Sequence, residues 1–465
     1  MNGILSYPNG ALLCCIGIAL LIIIDSKRRQ FEISKIFNFR KELKQITKSP
    51  RRKRKDMDSS NSTLIGSKGR RKIYTEDNAK HIFICGTTGS GKTVALANYM
   101  KSAIEKDYPL LIVDGKGDQG NGSILDIVQQ LNKSGKKKLY VVNLNTPYYS
   151  SKYNPFQNTS PTVAKDMLIN MTDWSEEHYK LNTERYLQKL VILLDMADIP
   201  LSFGRILAYM PPDKFLSLSA TLLKEERITK QEHLLNAEIV QSSGKIAQDA
   251  TARFSTIYES EIGKLFTDDG IDIYTALKEK AIILFILNPL IYPELSPVMG
   301  RLVLIDSKKA VSKLFTEKQN RTFFLFDEIN VYAGSMLLDL INKSRSADVT
   351  CILATQSMSD LDAVCGEAFK EQIIENCNNY LVLRQNSAVN AEHWSEVLGT
   401  RKTMDVSYQL QQKGRTTAQT GLGSARNTRE FIYHPDDIKK LRTGQGIFMS
   451  KEDGYHAKIQ IENVI

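Results

Sequence analysis

The stretch HIFICGTTGSGKTVALANYMKSAI, residues 81–104, decides the fold of this 465-residue chain. It contains a short apolar run at 81–85, the motif GTTGSGKT at 86–93, and then an apolar, helix-compatible run. A G-x-x-x-x-G-K-[ST] loop between a strand and a helix is the phosphate-binding loop of P-loop nucleoside triphosphatases. The sequence therefore predicts an α/β protein that binds a nucleotide through this loop.

The residue types in the loop explain the predicted binding. The glycines let backbone N–H groups curl around phosphates, Lys92 reaches the β- and γ-phosphate oxygens, and the Thr93 hydroxyl ligates Mg²⁺. The alternative, a glycine-rich turn, is disfavoured by the flanking strand and helix patterns. The predicted nucleotide-binding residues are Gly86, Thr87, Thr88, Gly89, Ser90, Gly91, Lys92 and Thr93.

An acidic pair supplies the second half of the predicted site. The apolar run Thr322 to Phe326 fits a buried strand that ends in Asp327 and Glu328. We expect Asp327 to hold Mg²⁺ through water and Glu328 to orient or deprotonate the attacking water. The alternative is an ordinary strand end followed by a helix cap.

Two further strand ends carry polar side chains. Gln356 follows the strand-like run 349–354, where it could touch the γ-phosphate or the attacking water, and Asp114 ends the run 110–114. Polar residues at strand ends are often only turn formers, and that alternative stays open for both.

Strand-like apolar runs recur along the chain, mostly separated by stretches long enough for helices. They lie at 81–85, 110–114, 139–143, 281–287, 322–326, 349–354, 380–384 and 446–449. This pattern is typical of a parallel α/β sheet that binds its ligand at the carboxyl ends of the strands. Residues 160–265 show helical patterns and no convincing strand, so we predict an all-α subdomain inserted at 174–243 between the two parts of the nucleotide-binding domain, 71–173 and 244–465.

The N-terminal region has the pattern of a membrane anchor. Residues 2–24 carry no charged side chain, and a helix over 4–24 would span roughly 31 Å, about one hydrocarbon core. Lys27, Arg28 and Arg29 follow the apolar run, which predicts a single transmembrane helix within 1–25 with the N-terminus outside and the body cytoplasmic. A basic juxtamembrane linker is predicted at 26–70, and a buried core helix is the alternative reading of the apolar run.

The net charge of +10 is confined to this region. Residues 1–55 hold 13 lysines and arginines against three acidic residues, so residues 56–465 are neutral overall. Charge alone therefore does not indicate that the body binds nucleic acid. Within the body, the Gln-, Thr- and Gly-rich segment 401–430 has a net charge of +4, which we interpret as a mobile basic loop able to contact phosphates or as a merely soluble loop.

The order of the motifs resembles that of type IV secretion coupling proteins, the TraG/TraD group of conjugation ATPases. The resemblance covers most of the body. It rests on GTTGSGKT, DGKGD at 114–118, the helical insertion, LFDEINVYAG at 325–334, SRSADVTCILATQSMSDL at 344–361, and the segments 376–386 and 431–449.

This resemblance implies a membrane-anchored homo-hexamer of RecA-like motor domains that hydrolyses ATP with Mg²⁺. It implies that the ring moves DNA, usually single-stranded and joined to a relaxase, toward a type IV secretion channel in a bacterial cell membrane. It also implies catalytic roles for Glu328 and Gln356, a metal role for Thr93 and Asp327, and a role in trans for Arg345, for which Arg253 and Arg301 are competitors.

The chain departs from that family in two respects. It shows one predicted membrane helix where the family usually has two, and Gly115 stands where the family usually has proline. The alternatives are a FtsK/HerA-like DNA translocase, a coupling ATPase for protein effectors, and a receptor that binds nucleotide to switch conformation with little turnover.

Overall fold

The computed structural model describes residues 20–27, 59–78, 80–316, 321–413 and 416–465. By its contacts the chain divides into two units, one of Met1–Lys53 with Ser395–His434 and the other of Arg54–Trp394 with Pro435–Ile465. The strands, in chain order, are β1 Ser62–Lys68, β2 Arg71–Glu76, β3 Ile82–Cys85, β4 Leu110–Asp114, β5 Leu139–Asn143, β6 Ile282–Ile286, β7 Thr322–Asp327, β8 Val349–Thr355, β9 Asn379–Val382, β10 Thr400–Lys413, β11 Thr416–Phe431, β12 Gln445–Ser450 and β13 Tyr455–Ile461.

Beyond the helical residues 20–27, the α-helices follow in chain order. They are α1 Lys92–Glu105, α2 Ile124–Leu131, α3 Pro161–Asn170, α4 Glu177–Met196, α5 Phe203–Tyr209, α6 Pro212–Lys224, α7 Lys230–Tyr258, α8 Ile273–Lys278, α9 Leu295–Leu314, α10 Ser335–Ser344, α11 Met358–Cys365, α12 Glu367–Asn376, α13 Ala388–Leu398 and α14 Pro435–Lys439.

The larger unit is built on one sheet of eleven strands in the order β2-β1-β13-β12-β9-β3-β8-β7-β4-β6-β5. From β9 to β5 all neighbours are parallel, whereas β12, β13, β1 and β2 pair antiparallel. Strands β3, β4, β6, β7 and β8 are buried along their whole length, which explains why the sequence shows them as continuous apolar runs. The predicted parallel α/β sheet is confirmed.

Two sequence-based boundaries are wrong. The predicted linker 26–70 contains β1, whose backbone pairs with β2 and β13 and in which Ile65 is buried. The predicted end of the helical insertion at 243 falls inside α7, which continues to Tyr258. The helix runs through Gly244 without interruption.

The segment 401–430, predicted as a mobile loop, instead lies in a long antiparallel ribbon. β10 and β11 pair only with each other among the described residues, with register from Thr400↔Phe431 to Lys413↔Thr416. Thr, Gln and Ser residues are as compatible with a strand as with a loop, so the composition of this segment misled the prediction.

The predicted membrane anchor is mostly beyond the described residues. Residues 20–27 are helical and exposed, and 4–19 lie outside the described ranges. In the described part of the chain, no helix combines the length and the apolar character needed to cross a membrane.

Candidate nucleotide-binding site

The loop between β3 and α1 is held by backbone hydrogen bonds to neighbouring strand ends. Gly86 N–H donates to Thr355 O at 3.2 Å, and Thr87 N–H donates to Arg384 O at 3.0 Å. The loop then turns through Gly89 and Gly91, whose φ angles of 73° and 107° favour glycine. The loop therefore leads into the N-terminus of α1, where free backbone N–H groups attract phosphate.

A segment far along the chain supports the same loop. Thr443 Oγ1 donates to Gly89 O at 3.0 Å, and Gly444 N–H donates to Ser90 O at 3.0 Å. A side chain at 91 would place its Cβ 3.3 Å from Gly444 N. Sequence reasoning missed this support, for which the only signal is the dipeptide Thr-Gly before β12.

The acidic pair lies at the carboxyl end of β7, two strands from β3 in the sheet. Asp327 and Glu328 are buried, and Glu328 has left-handed backbone with a φ of 46°. This unusual conformation is typical of functional sites. Lys92 Nζ donates to Glu328 Oε1 at 2.6 Å, so the structure joins the phosphate loop to the predicted base.

Gln356 connects these two groups. Its Nε2 donates to Glu328 Oε1 at 3.0 Å, and its Oε1 accepts from Thr88 Oγ1 at 3.0 Å. It thus bridges the phosphate loop and the predicted base, as a side chain that responds to the γ-phosphate would have to do.

Burial shapes the electrostatics of the acidic groups. Burial raises the pKa of Asp327 to about 7, with Lys92 opposing the shift and the carboxylates of Glu328 and Asp114 adding to it. Burial also raises the pKa of Asp114 to about 6, although the backbone N–H groups of Gly117 and Lys116 lower it. Concentrated negative charge of this kind favours a cation beside Asp327.

The residues present fit Mg²⁺. Asp327 Oδ1 is buried and has no hydrogen-bond partner among the described residues. No group of three or more His, Cys, Asp or Glu side chains in the described ranges is arranged to hold a metal. Mg²⁺ does not need such a group, because it is usually bound by one or two protein ligands together with substrate phosphates and water. Thr93 and Asp327 stay the predicted ligands.

Asp114 has a local structural role at its strand end. Its Oδ1 accepts from the N–H groups of Lys116 and Gly117, and its register partner in β7 is Asp327. Gly115 N–H donates to Asp327 O at 3.1 Å, a bond that the proline usual in the family could not make. Gly115 therefore ties the end of β4 to Asp327.

Arg345 lies away from the site in its own chain. It is exposed and begins the 3₁₀ turn before β8, which is the amino end of that strand, whereas the phosphate loop lies at the carboxyl edge of the parallel sheet. Arg301 binds Asp173 through both guanidinium nitrogens at 2.7 and 2.8 Å, and Arg253 donates to the Asp173 carbonyl. A trans role for Arg345 stays a prediction.

Sequence reasoning also missed Arg384 and Gln385, which follow β9 next to the loop. Arg384 accepts from Thr87 through its carbonyl, and its Nε has no hydrogen-bond partner in the described part of the chain. Gln385 is buried and its Nε2 donates to Cys85 Sγ at 3.6 Å. Their position after an apolar run, like that of Gln356, was the available signal.

A parallel sheet with a phosphate loop after one strand and a buried Asp-Glu pair after another defines a P-loop nucleoside triphosphatase. Residues 277–462 match the family model of the type IV secretion-system coupling protein DNA-binding domain, and residues 62–278 match that of the helicase HerA central domain.

The fold is similar to that of the bacterial conjugative coupling protein TrwBdeltaN70, with a TM-score of 0.61, 17% identity, and coverage of 91% of this chain and 92% of that one. It is also similar to VirB4 of Thermoanaerobacter pseudethanolicus, with a TM-score of 0.54, 12% identity, and coverage of 87% and 97%. An uncharacterized protein of Mycoplasma pneumoniae is 28% identical over 101 residues, which are 22% of this chain and 67% of that protein.

The resemblance to type IV secretion coupling proteins is thereby confirmed. Residues 277–462 match the coupling-protein DNA-binding domain, the fold is similar to that of a conjugative coupling protein, and the phosphate loop with its acidic pair is that of a P-loop nucleoside triphosphatase.

Proposed function

We propose that this protein is a membrane-anchored ring ATPase that couples ATP hydrolysis to the recruitment and translocation of conjugative DNA, with its relaxase, into a type IV secretion channel. The observation that carries ATP hydrolysis is the contact of Glu328 with both Lys92 and Gln356 at 2.6 and 3.0 Å. TrwB, the fold relative, has been solved with ADP and Mg²⁺ and with a non-hydrolysable ATP analogue, which supports the same nucleotide and metal here.

The chain's own groups account for the reaction. Loop N–H groups and Lys92 bind the β- and γ-phosphates, and a phosphate that contacts Lys92 competes with Glu328 for it. Glu328 then orients a water and accepts its proton as the water attacks the γ-phosphorus and the bond to ADP breaks. Gln356 would report whether the γ-phosphate is present, and its hydrogen bond to Glu328 supports this role.

Thr93 and Asp327 would hold Mg²⁺ in this site. Mg²⁺ neutralises developing charge on the β- and γ-phosphate oxygens when it is bound. Asp327 is kept in position by Tyr332, which donates to its carbonyl at 3.0 Å, and by the Gly115 N–H.

The cellular setting is also part of the proposal. The apolar N-terminal run and the basic residues after it support a single-pass anchor in a bacterial cell membrane, with the N-terminus outside and the body in the cytoplasm. The likeness to coupling proteins supports a homo-hexamer. In such a ring, the exposed Arg345 of each subunit would reach the nucleotide site of a neighbouring subunit. Relaxase and channel proteins are the proposed partners.

A second candidate is a HerA-like DNA translocase that acts without a secretion channel. The observation that favours it is the match of residues 62–278 to the HerA central domain. Both candidates move DNA, so the membrane anchor and the binding of secretion-channel proteins distinguish them.

The test is steady-state ATP hydrolysis by the full-length protein in detergent, with and without single- and double-stranded DNA over a salt series. Stimulation by DNA that fades with salt, and that is absent in Lys92→Ala, supports a DNA motor. Hydrolysis indifferent to DNA would favour a protein-cargo coupling ATPase. Tight ATP binding without hydrolysis would favour the receptor that switches with little turnover.

A further inference from the structure

The ribbon formed by β10 and β11 distributes its charges unequally between its two faces. It is a separate two-stranded sheet, with strands of 14 and 16 residues, and at about 3.3 Å per residue it is more than 40 Å long. Residues directly opposite each other in an antiparallel pair share a face, and successive pairs alternate between faces. The register therefore assigns each charged residue near the open end of the ribbon to a face.

One face neutralises itself. Arg401 lies opposite Glu430, with 3.5 Å between Nη2 and Oε1, and four register pairs further on, on the same face, Asp405 lies opposite Arg426. Near the open end, each cation on this face therefore has an acidic partner across the ribbon. Opposite charges in such positions stabilise a strand pair.

The other face carries a positive pair that has no acidic partner among the described residues. Lys402 lies directly opposite Arg429, and both are exposed. Arg429 Nε donates to Thr400 Oγ1 at 3.0 Å, which is a neutral partner. Like charges directly opposite each other destabilise a strand pair, so an anion bound to this face would relieve that repulsion.

We propose that the Lys402–Arg429 face binds the phosphate backbone of single-stranded DNA. The inference rests on the proposed function, because it supplies a contact for the DNA that the motor would move. The backbone of single-stranded DNA is an extended polyanion with regularly spaced charges. The ribbon is long, its segment 401–430 has a net charge of +4, and its sequence contains many hydroxyl and amide residues, which are the residue types that contact phosphates. The ribbon also lies within residues 277–462, which match the DNA-binding domain of coupling proteins.

The test compares two double variants of the full-length protein that remove the same charge from opposite faces. Lys402→Gln with Arg429→Gln changes the Lys402–Arg429 face, and Arg401→Gln with Arg426→Gln is the matched control on the neutralised face. Binding of a labelled oligothymidine is followed by fluorescence anisotropy from low to moderate salt. ATP hydrolysis without DNA is measured as a check on folding, because neither pair belongs to the nucleotide site.

We expect the first variant to bind roughly tenfold more weakly or worse at low salt and its salt slope to fall by about 1.4, since each single-strand phosphate contact contributes about 0.7. The control should keep most of the wild-type slope. Equal losses in both variants would overturn the inference, because they would reflect net charge alone. The inference would also be overturned if the first variant bound oligothymidine like the wild type but lost binding to phosphatidylserine vesicles or changed its oligomeric state.

The wild-type protein separates this inference from the proposed function. If oligothymidine binds and stimulates ATP hydrolysis in the wild type and in both variants alike, only the assignment of the ribbon fails. If the wild type neither binds DNA nor responds to it, DNA translocation fails as well.

Discussion

Glu328→Gln is expected to separate nucleotide binding from hydrolysis. Glu328 Oε1 lies 2.6 Å from Lys92 Nζ, and the two side chains are 6% and 9% exposed. The variant keeps an oxygen that can accept from Lys92, but it loses the negative charge and the ability to take a proton from water. Nucleotide should therefore bind while the chemical step fails.

The magnitudes follow from these contacts. A positioned general base contributes about 10²- to 10⁴-fold to the rate, so kcat should fall by about that factor. A charge-assisted hydrogen bond is stronger than a neutral one by about 1–2 kcal/mol. The glutamine of the variant would therefore compete less strongly than Glu328 with the ATP phosphates for Lys92, and ATP binding should tighten by roughly 5- to 30-fold.

The assay measures phosphate release and the affinity for a fluorescent ATP analogue on the same preparation. Glu105→Gln, a substitution at an exposed position on α1, is the matched control and should behave like the wild type. Hydrolysis by Glu328→Gln within about threefold of wild type would refute the role of Glu328 as base. Weaker ATP binding in that variant would refute the competition for Lys92.

Three further outcomes are expected. Gln356→Ala should lower kcat roughly tenfold or more with little change in ATP affinity, because it removes a hydrogen-bond donor to Glu328. Single-turnover kinetics measure this effect. Gly117→Ala should lower the free energy of unfolding by at least about 2 kcal/mol in urea denaturation, since φ is 71° and the added Cβ would lie 1.9 Å from Leu287 O; unchanged stability would contradict this. Burial lowers the pKa of His81 from 6.5 to about 4, so the free energy of unfolding that is present above pH 6.5 is lost as the pH falls toward 4. His81→Asn should reduce that loss by about 3 kcal/mol in urea denaturation at a series of pH values. His178→Asn, a substitution at an exposed position, is the control and should leave the loss unchanged.

The sequence predicted the parts of the site that are local in the chain. The loop 86–93 combines a strand, glycines, a lysine and a helix in consecutive positions, so its spacing alone indicates its chemistry. Asp327, Glu328 and Gln356 were found because each follows a continuous apolar run that only a doubly covered strand explains.

What the sequence did not predict depends on distant contacts or on ambiguous composition. β1 was assigned to a linker because Ser, Thr and Gly are typical of loops, yet Gly66 is needed there since a Cβ would lie 2.3 Å from Gln460 O in β13. The ribbon was missed for the same reason. The contacts of Arg384 with the loop exist only because β9 and β3 are neighbours in the sheet, and strand order cannot be read from local pattern.

The support of the phosphate loop by Thr443 and Gly444 has a consequence for synthesis of the protein. Gly89 and Thr443 are 354 positions apart. At about 5–20 residues per second, the loop leaves the ribosome roughly 20 to 70 s before the segment that fixes its backbone. A nascent chain therefore carries an incomplete nucleotide site, and the ability to hydrolyse ATP should arise only after β12 and β13 have joined the sheet.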